Sequence, residues 1–279
     1  MTTKRSPYKI DALLFQLTER DLRVLEDLER FRLLDTRLIQ RLQFPVFDGG
    51  PHQTGGSATR TALRILARLE GHGLVAHVGR RVGGTRHGST QTVWHLASTG
   101  ERLLRARRGE PGRRRYVDPS PLFQAHTLDI ARFAVALIER AREQHCEVLE
   151  LLTEPATWQQ FHAAHGGALT LKPDLFVVTA DSEHETHSFV EIDRDTEHLP
   201  AILRKCRLYQ QHYHTGAIQA EQDGLYPSIV WVTPTEERAE RIRRAITNDP
   251  SLTPELFRTG TQETTIPIVA PYSSQSPTE

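Results

Sequence analysis

Three carboxylates lie beside two short apolar runs whose residue types are typical of β-strands. Asp174 precedes residues 175–178, Glu191 lies within residues 189–192, and Asp193 follows that second run directly. Side chains alternate between the two faces of a strand, so Glu191 and Asp193 share a face, and strand pairing would bring Asp174 beside Glu191. Carboxylates gathered at a strand end suit Mg²⁺ or Mn²⁺, and such metal sites are typical of phosphodiester cleavage. The spacing therefore predicts a metal site formed by Asp174, Glu191 and Asp193, with Asp193 as a third ligand or a general base.

The charge is divided unevenly along the chain, although the net charge of the 279 residues is zero. Residues 1–116 carry 22 Lys and Arg against 11 Asp and Glu, a net of +11, whereas residues 117–279 carry 13 against 24, a net of −11. A basic half is typical of a nucleic-acid-binding module, and the acidic half is then expected to have a different task. The alternative is that two oppositely charged domains simply attract each other.

The composition excludes several classes of protein. No apolar run approaches the ~20 residues that a membrane-spanning helix needs, and the first residues lack the apolar core of a signal peptide. Two cysteines, Cys146 and Cys206, are too few for a disulfide framework or a zinc quartet. We therefore expect a cytoplasmic protein with reduced thiols and no membrane partner, long enough to form two domains.

The basic half has the pattern of three helices followed by two strands. Apolar spacing predicts the helices within the first 71 residues, and the third helix carries Arg60 and Arg64 in one row. Residues 74–78 and 92–96 are then expected to form two strands. The glycine-rich tip between these strands contains three more arginines: Arg80, Arg81 and Arg86. This order predicts a winged helix-turn-helix domain that binds double-stranded DNA through the five arginines.

The acidic half alternates between helices and strands. A helix over residues 124–144 is followed by a strand at 148–152, the two carboxylate strands, a helix at 200–213 and a buried strand at 228–232. A further helix and a last strand at 265–269 complete the pattern. The order αβββαβ predicts an α/β core, and the whole chain is expected to be a two-domain protein of the mixed α+β class.

Domain boundaries follow from these patterns. We expect a winged-helix domain over residues 1–108, a second domain over residues 122–270 and a flexible tail over residues 271–279. The segment between the domains, residues 109–121, combines Pro, Gly and arginines and is typical of a solvated linker, although its arginines could also contact phosphates. Winged-helix proteins often dimerise, so a homodimer is one option, but no heptad repeat indicates a coiled coil.

The acidic half resembles the PD-(D/E)xK nuclease superfamily, which has a restriction-endonuclease-like fold. The resemblance rests on Pro173 and Asp174, which open one strand, and on Glu191-x-Asp193, which ends the next. With the winged helix before it, the chain from about residue 17 to residue 269 is similar to the replication-relaxation family, which includes the C-class plasmid mobilisation relaxases. His126 and the run FVEIDRDTE at residues 189–197 contribute to this likeness.

The resemblance implies a metal-dependent endonuclease of a plasmid or mobile element that nicks DNA at an origin. Active members of the superfamily have a lysine where this sequence has Asp193. Lys205 on the following helix, or Lys172 beside Pro173, could supply the same positive charge. We therefore expect Asp174, Glu191, Asp193 and Lys205 to form the catalytic site, with Mg²⁺ or Mn²⁺ as the cofactor.

The departure at Asp193 leaves a second hypothesis open. If neither lysine replaces the missing one, the domain is a nuclease fold without catalysis. The chain would then be a DNA-binding regulator or a replication accessory protein. The two hypotheses differ in whether Asp174 and Glu191 are needed for DNA cleavage.

Overall fold

The structure, a computed structural model, describes residues 7–47, 50–78, 92–110, 121–144, 146–163 and 166–271. The protein belongs to the mixed α/β class, as expected from the sequence. The chain divides into two compact units, Met1–Val135 and Ala136–Glu279. No helix in the described ranges is both long enough and apolar enough to cross a membrane.

The first unit is mainly helical and contains one small sheet. Its elements are α1 (Pro7–Leu14), α2 (Glu19–Phe31), β1 (Leu34–Asp35), α3 (Thr36–Gln43), α4 (Gly55–Gly71), β2 (Val75–His77), β3 (Val93–Leu96) and α5 (Ser98–Arg107). The long helix α6 (Pro121–Glu143) begins in this unit and ends in the second. The three helices and two strands predicted for the basic half are present, and the predicted tip at residues 80–86 lies outside the described residues.

Side-chain caps begin the three central helices of this unit. The Thr18 hydroxyl accepts a hydrogen bond from the Asp21 amide, and the Asp21 carboxylate accepts one from the Thr18 amide at 2.8 Å, which completes a capping box before α2. The Asp35 carboxylate caps α3 by accepting a hydrogen bond from the Leu38 amide at 2.9 Å. The Thr54 hydroxyl caps α4 by accepting one from the Ser57 amide. Each cap of this kind stabilises its helix by about 1 kcal/mol.

The small sheet has the strand order β1-β3-β2, and both pairings are antiparallel. Leu34 pairs with Trp94, and Val75 pairs with Leu96. The buried Trp94 ring donates its indole N–H to the Thr36 hydroxyl at 3.0 Å. This bond ties the start of α3 to β3, because a buried indole N–H needs a partner.

The second unit is built on a five-stranded sheet. Besides the end of α6 it contains β4 (Glu147–Thr153), β5 (Gln159–His162), β6 (Ala168–Leu171), β7 (Leu175–Ala180), β8 (Glu185–Ile192), α7 (Leu199–His214), α8 (Ala217–Glu221), β9 (Ser228–Thr233), α9 (Glu236–Thr247), a 3₁₀ turn (Pro254–Leu256), β10 (Phe257–Thr261) and α10 (Gln262–Val269). The sheet order is β10-β9-β8-β7-β4. Strands β8, β9 and β10 are parallel, whereas β7 is antiparallel to both β8 and β4.

Helices connect the parallel strands, as crossover connections require. Helix α7 lies between β8 and β9 in the chain, and α9 lies between β9 and β10. Strands β5 and β6 form a separate hairpin between β4 and β7 that was not predicted from the sequence. This hairpin contributes Phe161 and Leu171 to the core cluster that also contains Phe189, Tyr209 and Trp231.

The predicted last strand at residues 265–269 is wrong, because this segment lies in helix α10. Its threonine, two isoleucines and valine favour a strand by propensity, which is why the sequence pattern misleads. The segment nevertheless buries Ile266 and Val269 as part of a helix, and the Thr265 hydroxyl donates to the Thr261 carbonyl at 2.7 Å. The final strand of the sheet is β10, which pairs in parallel with β9.

The tight approach of α5 to Leu74, the residue before β2, makes Gly100 sensitive to substitution. A Cβ atom at Gly100 would lie 2.2 Å from the carbonyl oxygen of Leu74, which accepts the Ala97 amide. We expect Gly100→Ala to lower the free energy of unfolding by about 1–3 kcal/mol, because backbone atoms must shift to admit the methyl group. Chemical denaturation of the full chain measures the change.

Gly71→Ala is the matched control, since Gly71 also lies in a helix and a Cβ there would meet nothing within 4 Å. This control should leave stability unchanged or raise it by up to about 1 kcal/mol, because alanine has the higher helix propensity. Equal effects of the two substitutions would contradict the close approach at Gly100.

Candidate active site

Asp174 directly precedes strand β7, and Glu191 lies in the neighbouring strand β8. Strands β7 and β8 pair with Leu175 opposite Val190, and one further step along this antiparallel register brings Asp174 level with Glu191. The Asp174 carboxylate accepts a hydrogen bond from the Ile192 amide at 2.8 Å. Both carboxylates are buried. The backbone of β8 therefore holds Asp174 in place beside Glu191.

Two side chains from helix α7 bind the Glu191 carboxylate. The Lys205 ammonium group donates to Oε2, and the Tyr209 hydroxyl donates to Oε1 at 2.5 Å. Lys205 and Tyr209 are four residues apart, so they lie on the same face of the helix. The Glu191 side chain is only 2% exposed, whereas Lys205 is 29% exposed. Lys205 thus connects a buried carboxylate with the protein surface.

The electrostatics of this cluster reflect its removal from water. Burial raises the pKa of the Glu191 carboxyl to about 8; Lys205 opposes the rise and the charge of Asp174 adds to it. Burial alone would lower the pKa of Lys205, but the charges of Glu191 and Asp174 outweigh it and the pKa is raised. Burial also raises the pKa of Tyr209, and Glu191 adds to that shift. The Lys205 and Tyr209 groups therefore keep their protons and remain donors to Glu191.

The three predicted ligands do not form a metal-binding group of three. Within the ranges that the structure describes, no cluster of three or more His, Cys, Asp or Glu side chains is arranged to hold a metal ion. Asp193 instead forms a bidentate pair with Arg238 of α9, at 2.7 Å from Nε to Oδ2 and 3.2 Å from Nη2 to Oδ1. Both of these side chains are buried.

The Asp193–Arg238 pair organises the turn that follows β8. Arg238 also donates to the Glu197 carbonyl at 2.7 Å and contacts the Asp195 carboxylate at 3.1 Å. The Asp193 carboxylate accepts a hydrogen bond from the Asp195 amide at 3.2 Å. These contacts satisfy a buried charge and at the same time connect α9 to the turn between β8 and α7.

The remaining pair, Asp174 and Glu191, still fits a hard divalent cation. Mg²⁺ is commonly held by one or two carboxylates together with oxygens of a substrate phosphate. Two carboxylates face one ammonium group here, and Asp174 raises the pKa of Glu191. The two carboxylates therefore repel each other, and a divalent cation bound between them would relieve that repulsion.

The two candidate lysines have different surroundings. Lys205 contacts Glu191, as described above. Lys172 lies at the end of the β5–β6 hairpin, with its Nζ atom 4.1 Å from the centre of the Trp158 ring. Of the two, Lys205 is the one that shares a hydrogen bond with a proposed ligand.

The predicted DNA-binding arginines are described only in part. Arg60 and Arg64 are exposed on α4. Arg68, one turn further along that helix, pairs with the buried Asp21 of α2. Arg80, Arg81 and Arg86 lie outside the described residues. The exposed face of α4 therefore has two arginines whose charge is available to a partner.

Two residues of the site were not assigned from the sequence. Tyr209 could have been found, because it follows Lys205 by one helical turn and a tyrosine there can reach the same carboxylate. Arg238 gave no such signal, since it lies 45 residues beyond Asp193 and approaches it only through the crossover that forms the parallel sheet. Contacts of this kind depend on topology rather than on local spacing.

The fold and the site together define a mixed α/β protein with a buried carboxylate pair and a lysine at the sheet. A family model described as Replication-relaxation matches residues 25–229. This match covers most of the chain, and the protein belongs to the replication-relaxation family, which associates it with replication- and plasmid-related processes. Searches of curated proteins and of solved structures found no significant similarity to this chain.

The Asp193–Arg238 ion pair should stabilise the second unit of the fold, and the contribution of each side chain should depend on the presence of the other. We expect Asp193→Asn and Arg238→Met each to lower the free energy of unfolding by about 3–5 kcal/mol, because each leaves a buried charge without its partner. The double variant should lose less than the sum of the two single losses. Denaturant titration of the four proteins measures this coupling.

Arg241→Met is the control for loss of an arginine from α9. Arg241 is more than half exposed and contacts the exposed Asp195, so its loss should cost at most about 1 kcal/mol. Strictly additive losses in the double variant would show that Asp193 and Arg238 do not stabilise each other.

Proposed function

We propose that this protein binds the DNA of a plasmid or other mobile element and that its second unit is a metal-dependent endonuclease that nicks DNA at an origin. The observation that carries the proposal is the opposed pair of Asp174 and Glu191, with Lys205 bonded to Glu191. Two carboxylates at the ends of neighbouring strands, with a lysine from the adjacent helix, are groups suited to metal-assisted phosphodiester hydrolysis. Family membership is consistent with this role.

The proposal includes a PD-(D/E)xK-like architecture for the second unit. Its support is the order of the sheet, in which the antiparallel strands β7 and β8 carry the carboxylates and β9 follows in parallel after the helix that carries Lys205. Lys205 then replaces the lysine that would stand at position 193. Asp193 has a structural role in this proposal, because it pairs with Arg238.

Each residue has a defined task in the proposed reaction. Asp174 and Glu191 would hold Mg²⁺ or Mn²⁺, which supplies a polarised phosphate and a more acidic bound water. Tyr209 orients the Glu191 carboxylate through its hydroxyl hydrogen bond. Lys205 contributes a fixed positive charge near the negative charge that develops on the phosphate.

We further propose that the first unit is a winged-helix domain that binds double-stranded DNA. Its support is the arrangement of α2, α3 and α4 with an antiparallel sheet in which β2 and β3 are neighbours. Helix α4 would be the recognition helix, with Arg60 and Arg64 on its exposed face. The arginines at 80, 81 and 86 belong to this proposal through their place between β2 and β3 in the sequence.

A second candidate function is a nuclease fold without catalysis that serves a DNA-binding regulator or replication accessory protein. One observation favours it. Both oxygens of Glu191 already accept hydrogen bonds from Lys205 and Tyr209, so a metal ion must compete with these donors. The two functions make opposite predictions for cleavage.

Conversion of supercoiled plasmid to open circle tests the proposed function. The plasmid carries the origin region of the element from which the chain comes, and Mg²⁺ or Mn²⁺ is added. Asp174→Asn should reduce nicking by roughly 100-fold or more, because it removes a charged ligand. The substitution keeps an oxygen that can accept the Ile192 amide, so the fold should be retained.

Asp181→Asn is the matched control. Asp181 lies in the turn at the other end of the same strand pair, where its carboxylate accepts the amides of Glu183 and His184. This control should nick as the wild type does. Absence of metal-dependent nicking by the wild type, with DNA binding intact, would contradict the endonuclease and favour the regulator.

If α4 is the recognition helix, loss of its two exposed arginines should weaken DNA binding more than loss of the same charge elsewhere. The double variant Arg60→Ala/Arg64→Ala should bind duplex DNA more weakly. If both arginines bind phosphates, the slope of log affinity against log salt should become shallower by about 0.9 for each phosphate that is no longer neutralised. Fluorescence anisotropy with a labelled duplex at several salt concentrations measures both effects.

Arg243→Ala/Arg244→Ala lowers the net charge by the same amount from the exposed surface of α9 and is the control. It should change the affinity little. Equal losses in the two double variants would attribute the effect to net charge and contradict a role for α4.

A further inference from the structure

An exposed tryptophan lies next to the proposed active site. Trp158 precedes strand β5, and Lys172 follows strand β6, so the two residues flank the base of the β5–β6 hairpin. The pairing of Gln159 with Leu171 places Trp158 and Lys172 one step beyond the last pair of the hairpin. Lys172 is separated from Asp174 by one residue in the sequence. The base of the hairpin therefore leads directly into the candidate site.

The position of this tryptophan is determined by three contacts. The hydroxyl of the buried Thr157 donates to the Pro173 carbonyl at 2.6 Å, which ties the chain before Trp158 to the residue before Asp174. The Trp158 indole N–H donates to the Glu154 carboxylate at 3.1 Å. The Lys172 ammonium group lies 4.1 Å from the ring centre, within the range of a cation–π interaction. The ring is oriented but not covered, and 41% of the residue is exposed.

A fixed aromatic ring beside a cation has the chemistry to bind a nucleotide. Aromatic side chains stack on unpaired bases, and lysine attracts the backbone phosphate. Within an intact duplex the flat faces of the internal bases are covered by their neighbours, so a protein ring stacks on an internal base only where that base is unstacked from the helix. The features at Trp158 thus favour single-stranded or locally unpaired DNA over duplex DNA.

We propose that Trp158 and Lys172 form a nucleotide-binding site that stacks one unpaired base next to Asp174. This inference rests on the proposed function, because it defines the substrate class of the same site as locally unpaired DNA. Trp158 acts here by positioning: it holds the strand so that a neighbouring phosphate lies near the carboxylate pair. The exposed arginines of α4 serve duplex binding in the other unit.

The intrinsic fluorescence of the protein reports on this site. The chain has three tryptophans. Trp94 and Trp231 are 5% and 3% exposed, so Trp158 is the tryptophan that a bound base can reach. Titration of the full chain, in EDTA to prevent cleavage, should show saturable quenching by a mixed-sequence 12-nucleotide single strand. The same sequence as a blunt duplex should give little quenching.

Substitution then measures the contribution of the ring. Trp158→Ala should weaken binding of the labelled single strand by roughly 5- to 150-fold in an anisotropy assay, as expected for loss of one stacked base. Trp158→Phe should retain most of the affinity but lose the quenching signal. Leu225→Ala, which removes another exposed apolar side chain, is the control and should leave binding unchanged.

The outcomes separate this inference from the proposed catalysis. Specific quenching by the single strand without any nicking would retain the nucleotide site and contradict the endonuclease. Nicking by a protein that shows no quenching, and whose Trp158→Ala variant binds the single strand normally, would overturn the nucleotide site. Equal losses of affinity for single strand and duplex in Trp158→Ala would also overturn the nucleotide site. If Trp158 instead binds another protein, both DNA affinities should be unchanged, which would likewise overturn it.

Discussion

The structure of the second unit depends on the contacts that compensate the buried carboxylate of Glu191. Glu191 lies one residue before the end of β8, the central strand of the sheet, which pairs with β7 on one side and β9 on the other. An unpaired charge at such a position would be strongly destabilising. Lys205 and Tyr209 of α7 supply donors to both oxygens, so the same contacts that satisfy Glu191 also determine where α7 packs. The contacts that determine the geometry of the site therefore also determine how helix α7 packs on the sheet.

A second buried ion pair connects the neighbouring helix to the same strand. Asp193 lies two residues after Glu191, just beyond β8, and is bound by Arg238 of α9, so two acids near the end of β8 contact two different helices. The two pairs differ in accessibility. Arg238 is almost fully buried, whereas Lys205 reaches the surface. This difference agrees with the proposal that Asp193 is structural and that Glu191 is a metal ligand.

The sequence predicted the parts of this structure that depend on local pattern. The apolar runs at residues 175–178 and 189–192 predicted the strand that follows Asp174 and the strand that contains Glu191, and helical spacing placed Lys205 on the next helix. The opposition of Asp174 and Glu191 needed the antiparallel register, which local pattern does not determine. The partner of Asp193 could not be predicted, because Arg238 reaches it through a crossover connection. The proposed roles of Asp174, Glu191, Lys205 and the five arginines are still predictions.

The errors had physical causes as well. Residues 265–269 have strand-forming side chains but pack as a helix, because tertiary burial of Ile266 and Val269 outweighs propensity. The β5–β6 hairpin was missed because Gln159–His162 and Ala168–Leu171 are short and only half apolar, which is a weak pattern for strands.

The same hairpin has a consequence for how this family can diversify. Strands β4 and β7 pair directly, with Thr153 opposite Leu175, so the chain leaves the sheet after β4 and returns to it at the adjacent position. Residues 154–172 are an excursion that the sheet does not need for its own pairing, although Phe161 and Leu171 of this segment pack in the core cluster. A change in length between His162 and Ala168 would leave those core residues and both carboxylates in place, so evolution could alter what lies beyond the hairpin strands independently of the site itself.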